Sequence, residues 1–346
     1  MNRQRVTSLL APVAVALVAT VGLLALADAP PLQALGLIGE GAFAGRGRVA
    51  DTLMAWAPVA IAGGGLIVTF AAGLWNIGVE GQMVTGAIAA SAVARSLPGD
   101  RPLVITLTVL AGVVGGASWG LIAGLLKVKG RVNEIFAGIG LGFVAQAFAT
   151  YLIIGPWQRA GVASTSGTEP FRQETWLPTV GGTRLAPIAL TVAVLVLLGI
   201  RLVMRNTRFG LRLRAVGSNP ASAALLGVPA GATTLRAFLV GGGLAGLAGA
   251  LLVTGIQHKL VPAIGGGRGF LAVLVVLLAG SRVWVVGLIA LFFAAISVGS
   301  SQLQLRLNLD SSLGSVIQGL LVLTAVLYGG WRARRERSAP AIAPAG

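Results

Sequence analysis

Residues 205–231 read RNTRFGLRLRAVGSNPASAALLGVPAG. Arg205, Arg208, Arg212 and Arg214 crowd the first ten positions, and Arg201 stands just upstream. After them the residues spell a short helix with both ends marked. Ser218 or Asn219 can cap it, and Pro220 suits the first helical position, where a missing N–H costs nothing. ASAALL propagates the turn, Gly227 can take the left-handed terminating conformation, and Pro229 blocks continuation. A helix of about two turns is too short to be stable alone. It needs a bundle on one side and a partner on the other, or else arginine anchors at a lipid surface. Local features leave both readings open.

Outward from this stretch the chain is apolar. Its 346 residues are 55% hydrophobic and 10% charged, with a mean hydropathy of +0.88. Soluble domains carry about 25% charged residues, so an all-α polytopic membrane protein is expected. Stretches of about 20 apolar residues are needed to cross the hydrocarbon. About 10 such helices are read, at 7–27, 50–72, 77–96, 102–126, 135–154, 185–204, 234–255, 268–281, 284–303 and 313–330. The third and eighth are short or interrupted by glycine and read as broken or re-entrant. The first has a rival reading as a cleavable signal peptide. Its 19-residue run from Leu9 to Ala27 is longer than the roughly 7–15 expected there, which favours a span.

The net charge of +16 sits in short clusters between apolar runs, a pattern of membrane orientation rather than of nucleic-acid binding. With the N-terminus inside, the cytoplasmic side collects Arg3, Arg5, Lys127, Lys129, Arg131, the Arg201–Arg214 cluster, Arg236, Arg282, and Arg332 with Arg334, Arg335 and Arg337. Asp28, Glu40, Asp100, Glu169, Glu174 and Asp310 fall on the other side. Both termini are therefore expected in the cytoplasm, with attraction to membrane lipid as a by-product. The organisation expected is one transmembrane domain over 1–346, with an extracytoplasmic loop at 155–184, a cytoplasmic segment at 205–233 and a cytoplasmic tail at 331–346. Trp157 and Trp176 of the loop suit the membrane boundary.

Three further patterns bear on chemistry. In GLWNIGVEGQMVTGAIAASA, residues 73–92, Asn76 and Glu80 are four apart and are expected on one helical face, with Gly78 and Gly81 allowing close backbone approach. A carboxylate at membrane depth faces a pathway or partner, or else is a buried, hydrogen-bonded group that fixes a helix break. Gly112, Gly116, Gly120 and Gly124 recur every four residues and read as a packing seam. GASWG (116–120) formally matches a nucleophile elbow, but it lies in that seam, far from the single histidine, His258. GGGLAG (241–246) matches a dinucleotide fingerprint but lies inside a span. There is no phosphate-binding loop for ATP and no cysteine, and one histidine cannot make a His-cluster centre. No metal, no cofactor and no enzymatic activity of the chain itself are expected.

WNIGVEGQMVTGA, TRFGLRLRAVGSNPASAALLGVP with AFLVGGGLAGLAGALLVTG, GGGRGFLAVLVVLLAG and SSLGSVIQGLLVL follow one another across roughly residues 50–330. In order and spacing they resemble permease subunits of ABC importers in the branched-chain amino acid, ribose and nucleoside superfamily. NIGVEGQ and the 155–184 insertion look most like the longer of the two paired permeases of the simple-sugar and nucleoside branch. Trp75 stands where relatives often show Phe, and LAVLVVLLAG carries bulkier residues than the similar family segment.

The resemblance implies that the segment around Asn219, Pro220, Ala223, Ala224 and Gly227 docks on an ATPase subunit, with Arg208, Arg212 and Arg214 as its basic flank. It implies a second related permease, two cytoplasmic ATPases, an extracytoplasmic solute-binding protein and a multi-pass location in a bacterial plasma (inner) membrane. The expected function is ATP-driven import of nucleosides or simple sugars by alternating access. Trp75, Asn76, Glu80 and Gln82 are the expected polar groups near the path. The alternative is an ion-coupled secondary carrier working alone, for which Glu80 would be an unusually lonely intramembrane acid.

Overall fold

The computed structural model describes residues 18, 21–22, 30–161, 166–280, 282–310 and 312–338, and among them the regular elements are helices. In chain order they are α1 Pro31–Phe43, α2 Arg46–Ala71, α3 Val79–Ser96, α4 Arg101–Val128, α5 Glu134–Ile154, α6 Pro187–Asn206, α7 Arg208–Ser218, α8 Pro220–Leu225, α9 Ala230–Leu251, α10 Arg268–Ala279, α11 Val283–Gly299, α12 Ser301–Leu307 and α13 Leu313–Ser338. A π-helical segment, Leu252–Gln257, continues α9. Six are long and apolar enough to cross a membrane: α2, α4, α5, α6, α9 with its π segment, and α11 with α12. The polytopic, all-helical character read from composition is therefore present.

The expected spans and the helices differ where the apolar runs are interrupted. Span 7–27 lies outside the described residues apart from Val18, Val21 and Gly22. The third span contracts to the 18 residues of α3, because the chain from Leu74 to Gly78 is not helical. The eighth contracts to the 12 residues of α10, about 18 Å at the α-helical rise, and cannot cross about 30 Å of hydrocarbon alone. Two helices are additions to the expectation, α1 and α7. Each buries a narrow stripe, Ala34, Leu37, Ile38 and Gly41 in α1 and Gly210, Leu213 and Val216 in α7.

The chain forms two compact units. Residues 49–294 make the larger one. At its centre α4 packs on α9 through the predicted glycine seam. Cβ atoms added at Gly116 and Gly120 would run into the Gly242 and Phe238 carbonyls of α9, and one at Gly112 would lie 2.6 Å from the Ala250 Cβ. GGGLAG of α9 supplies the matching surface, since Gly242 and Gly246 press back on the Gly116 and Gly112 carbonyls. Lipid tails are as apolar as leucine, so exclusion from water does not drive such an interface. Backbone-to-backbone approach supplies dispersion and Cα–H···O contacts that tails cannot. α3 uses the same device against α5, where Gly78 and Gly81 face Gly138 and Gly142.

The smaller unit holds the described residues up to 48 and those between 295 and 338. There α1 meets the end of α11 and α12, with Gly41 against Gly299 and Gln302, and Arg306 lies 3.9 Å from Glu40.

Candidate functional site

The polar positions singled out in residues 73–92 fall on a break between two helices. α2 ends as Gly73 takes φ +73°, with Leu74 N–H donating to Thr69 O and Gly73 N–H to Phe70 O. This doubly bonded closure is a Schellman motif, and glycine enters its left-handed position without a Cβ clash. The chain then runs irregularly until α3 starts at Val79. Asn76 therefore lies outside the helix, and the shared helical face expected for Asn76 and Glu80 does not form. Asn76 pairs instead with Gln82. Each amide donates to the other's oxygen at 3.0 Å, and both residues are buried, Asn76 at 1% and Gln82 at 0% exposure. Reciprocal pairing answers the cost of burying two amides away from water.

Glu80, in the first turn of α3, reaches the other way. Its carboxylate accepts from Gly267 N–H at 3.0 Å and from Gly269 N–H at 2.7 Å, the amides that open α10. Helix N-termini carry unpaired donors and a positive dipole end, so a carboxylate there is doubly favoured. Gly265 and Gly269 have no Cβ, and one built on either would collide with Glu80. Of the four positions expected near a path, the structure joins Asn76 to Gln82 and leaves Glu80 engaged with α10. Trp75 is half-exposed, tilted on Phe70 at 5.6 Å between ring centroids.

A cavity of about 220 Å³ lies beside Glu80, bordered by Ile77, Gly142, Phe143, Gln146 and Phe270 among others. Gln146 was missed in the sequence, although a lone amide in an otherwise apolar span is the kind of residue that marks a pathway.

The basic segment is a two-helix hairpin. Thr207 Oγ1 caps α7 by accepting from Gly210 N–H at 3.2 Å. α7 buries Leu213 and Val216 and keeps Arg208, Arg212 and Arg214 exposed. Asn219 Oδ1 caps α8 by accepting from Ser222 N–H at 3.0 Å, Pro220 is at the first helical position, and Gly227 closes the helix at φ +77°. Val228 N–H donates to Ala223 O and Gly227 N–H to Ala224 O, a second Schellman closure.

Of the positions expected at a partner surface, Asn219, Pro220, Ala224 and Gly227 are exposed. Ala223 is not. It is 2% exposed and faces inward. The apolar groups turned most fully outward are Leu225 and Leu226, at 90% and 82% exposure, with Leu211 of α7 at 62%. Sequence reading passed over the pair, although paired leucines beside a helix stop in a polar segment were a visible signal. The hairpin also touches the α2 break, where Gly217 presses on the backbone of Ala71, Ala72 and Gly73.

The polar insertion is tied to the far end of α9. Thr168 N–H donates to Leu260 O at 2.9 Å, Phe171 N–H to His258 O at 2.8 Å and Leu177 N–H to Thr254 O at 3.0 Å. Trp176 stacks on His258 with ring centroids 4.1 Å apart, and Arg101 donates to the Trp176 carbonyl. His258 Nδ1 is buried with no hydrogen-bond partner. Burial pushes the imidazole below its usual value. The Thr254 backbone opposes this, and the Arg184 charge adds to the lowering.

Among the described residues the larger unit is a glycine-zipped helical bundle with internal breaks and an exposed hairpin. The family model for the branched-chain amino acid transport system permease component matches residues 48–326, and the chain belongs to that family. The glucose ABC transporter permease protein TsgB13 of Haloferax volcanii is 32% identical over 99% of this chain and 93% of its own length. The nucleoside ABC transporter permease protein NupB of Lactococcus lactis is 28% identical over 73% of this chain and 72% of its own. The putative glucose ABC transporter permease protein TsgC13 of H. volcanii is 28% identical over 80% of this chain and 84% of its own. The chain is thus a permease subunit of an ABC importer, and the lone ion-coupled carrier is set aside.

Proposed function

We propose that this permease imports a nucleoside or simple sugar and is driven through the α7–α8 hairpin by cytoplasmic ATPases. The relatives named for glucose and nucleosides support the solute class. About 10 spans are read from the apolar runs, and both termini in the cytoplasm from the distribution of lysine and arginine. That orientation puts residues 155–184 outside, facing a solute-binding protein, and residues 205–233 and the 331–346 tail inside, in a bacterial plasma membrane. A second permease completes the pathway. The similarity of this chain to both TsgB13 and TsgC13 of one organism favours a related partner.

The observation that carries the coupling reading is the outward leucine pair. Two largely exposed leucines at the end of a short helix closed at both ends, beside three exposed arginines, leave apolar area that a protein groove would cover. Burying each would contribute about 1.5–3 kcal/mol. The hairpin is continuous with α6 through Thr207 and with α9 through Pro229, and it abuts the end of α2 at Gly217. A push on α8 therefore reaches three helices at once.

Through the α2 break it would also reach the Asn76–Gln82 pair and Glu80. In this conformation those amides satisfy each other, each keeping one further N–H and lone pair. Trp75, Asn76, Glu80 and Gln82 would meet the solute after the break shifts, beside the Gln146 cavity.

Replacing both Leu225 and Leu226 by Asp should abolish solute-stimulated ATP hydrolysis by the reconstituted complex, with the permease still folded and inserted. Undiminished stimulation would overturn the coupling assignment. A bulky residue at Ala223 would act differently, by deforming the hairpin from within.

A further inference from the structure

A second feature of the larger unit lies between α2, α6 and α11. These helices enclose an apolar groove of about 360 Å³, within the range of roughly 300–1,000 Å³ seen for ligand sites. Its walls follow helical spacing. Trp284, Gly287, Leu288 and Leu291 line it from α11, Val194 and Leu197 from α6, and Leu53 and Trp56 from α2. Gly287 lets α6 come close, since a Cβ there would be 3.2 Å from Leu197 Cδ1. Trp56 Nε1 donates to Gly287 O at 2.9 Å, which satisfies the indole N–H internally and leaves its ring as apolar wall.

One end of the groove is different in kind. Arg201 lies one turn beyond Leu197 on α6, and its guanidinium carbon sits 5.5 Å from the Trp284 ring centroid. Arg205 follows at the next turn and is exposed. The ion pairs among the described residues, Lys127–Glu134 and Arg306–Glu40, leave Arg201 without a carboxylate. A cation stacked on an aromatic ring keeps its in-plane N–H fork free for phosphate.

We propose that this groove binds an anionic phospholipid, its acyl chain along α6 and α11 and its phosphate on Arg201 with Arg205. The combination of long apolar walls and an uncompensated arginine pair at one end matches an amphiphile with a negative head. Basic pockets between helices are the recognised physical setting for such headgroups. A zwitterionic lipid offers the same chain but brings a cation beside its phosphate, which these arginines repel. The site goes beyond the transport reading and uses no solute or ATPase contact.

The test is lipid retention by the purified complex, measured by native mass spectrometry after delipidation and titration with phosphatidylglycerol or phosphatidylcholine. Each arginine near a surface favours anionic lipid by about 1 kcal/mol, so a preference of about five-fold or more for phosphatidylglycerol is expected. Arg201→Gln should cut the preference by about five-fold and the double change Arg201→Gln with Arg205→Gln should erase it, while Arg236→Gln, on α9, should keep it. Glycerol phosphate, a headgroup without chains, should not compete. Equal retention of both lipids, an undiminished preference in Arg201→Gln, competition by glycerol phosphate, or a cross-link from Leu288→Cys to the second permease would overturn the proposal. If Arg201→Gln lowers the yield of folded complex, Leu288→Trp, which fills the groove from its exposed wall, should reduce retention of phosphatidylglycerol on its own.

Discussion

Replacing Gly217 by alanine adds one methyl group at the point where the hairpin touches the membrane bundle. The new Cβ would fall on the Ala71 carbonyl oxygen and within 3.0 Å of the Ala72 carbonyl carbon and the Gly73 nitrogen. All of these are backbone atoms, so no rotamer change can relieve the overlap. Relief requires α7 to move away from the α2 terminus by something on the order of an ångström. Overpacking of this kind costs about 1–3 kcal/mol. At about 1.4 kcal/mol per tenfold, that corresponds to a roughly 5- to 150-fold loss in the population of the seated hairpin. The lesion leaves Leu225, Leu226 and the arginines untouched, so the ATPase should still bind. Reconstituted vesicles should therefore show near-normal ATPase recruitment by pull-down, but solute uptake per ATP hydrolysed reduced by several-fold or more. If Gly217→Ala vesicles transport with wild-type stoichiometry, the contact with α2 does not carry the push and the relay argument fails.

Two other outcomes follow from the packing and from the one histidine. Gly246→Leu would drive its side chain into the Gly112 carbonyl and the Gly116 backbone, at 2.9 Å from both Gly116 Cα and N, and should cost about 3 kcal/mol. Thermal inactivation in detergent should show a large loss of half-life, whereas Gly199→Ala, with open space around it, should show none. His258 is held below its usual pKa, so the native state binds fewer protons than the unfolded chain as pH falls below about 6.5. The clip between the insertion and α9 should loosen over that interval, with the loss levelling off below the lowered folded value. Protection of the Phe171 and Leu177 amides, with exchange rates corrected for their intrinsic pH dependence, should fall as pH drops below about 6.5, and His258→Phe should remove that step.

The parts of this architecture legible in the sequence are those set by local rules. Small residues every fourth position announced a packing seam on α4, while its partner strip on α9, GGGLAG, was in view without being read as packing. Asn219, Pro220 and Gly227 marked both ends of α8, because capping, proline placement and positive φ are decided within a few residues. Gly78 and Gly81 likewise signalled close approach, though not that the partner would be α5.

What escaped depends on long-range pairing. The Asn76–Glu80 spacing suggested a helical face, but the Schellman closure at Gly73 ends the helix before either residue. Glu80 finds its donors 187 and 189 positions away, a separation to which periodicity is blind. The inward turn of Ala223 and outward turn of Leu225 and Leu226 depend on how α8 lies against the bundle, which a six-residue helix does not encode in its own spacing.

The central claim is that the α7–α8 hairpin faces the cytoplasm and is covered there by another subunit. The chain contains no cysteine, so Leu226→Cys creates a single labelling site in the exposed leucine pair of the hairpin. An impermeant maleimide applied to inside-out and right-side-out vesicles, each with and without bound ATPase, reads both parts together. Labelling only in inside-out vesicles, and protection there when the ATPase is bound, is the predicted result. Labelling from the extracytoplasmic face, or unprotected labelling in the assembled complex, would contradict the account.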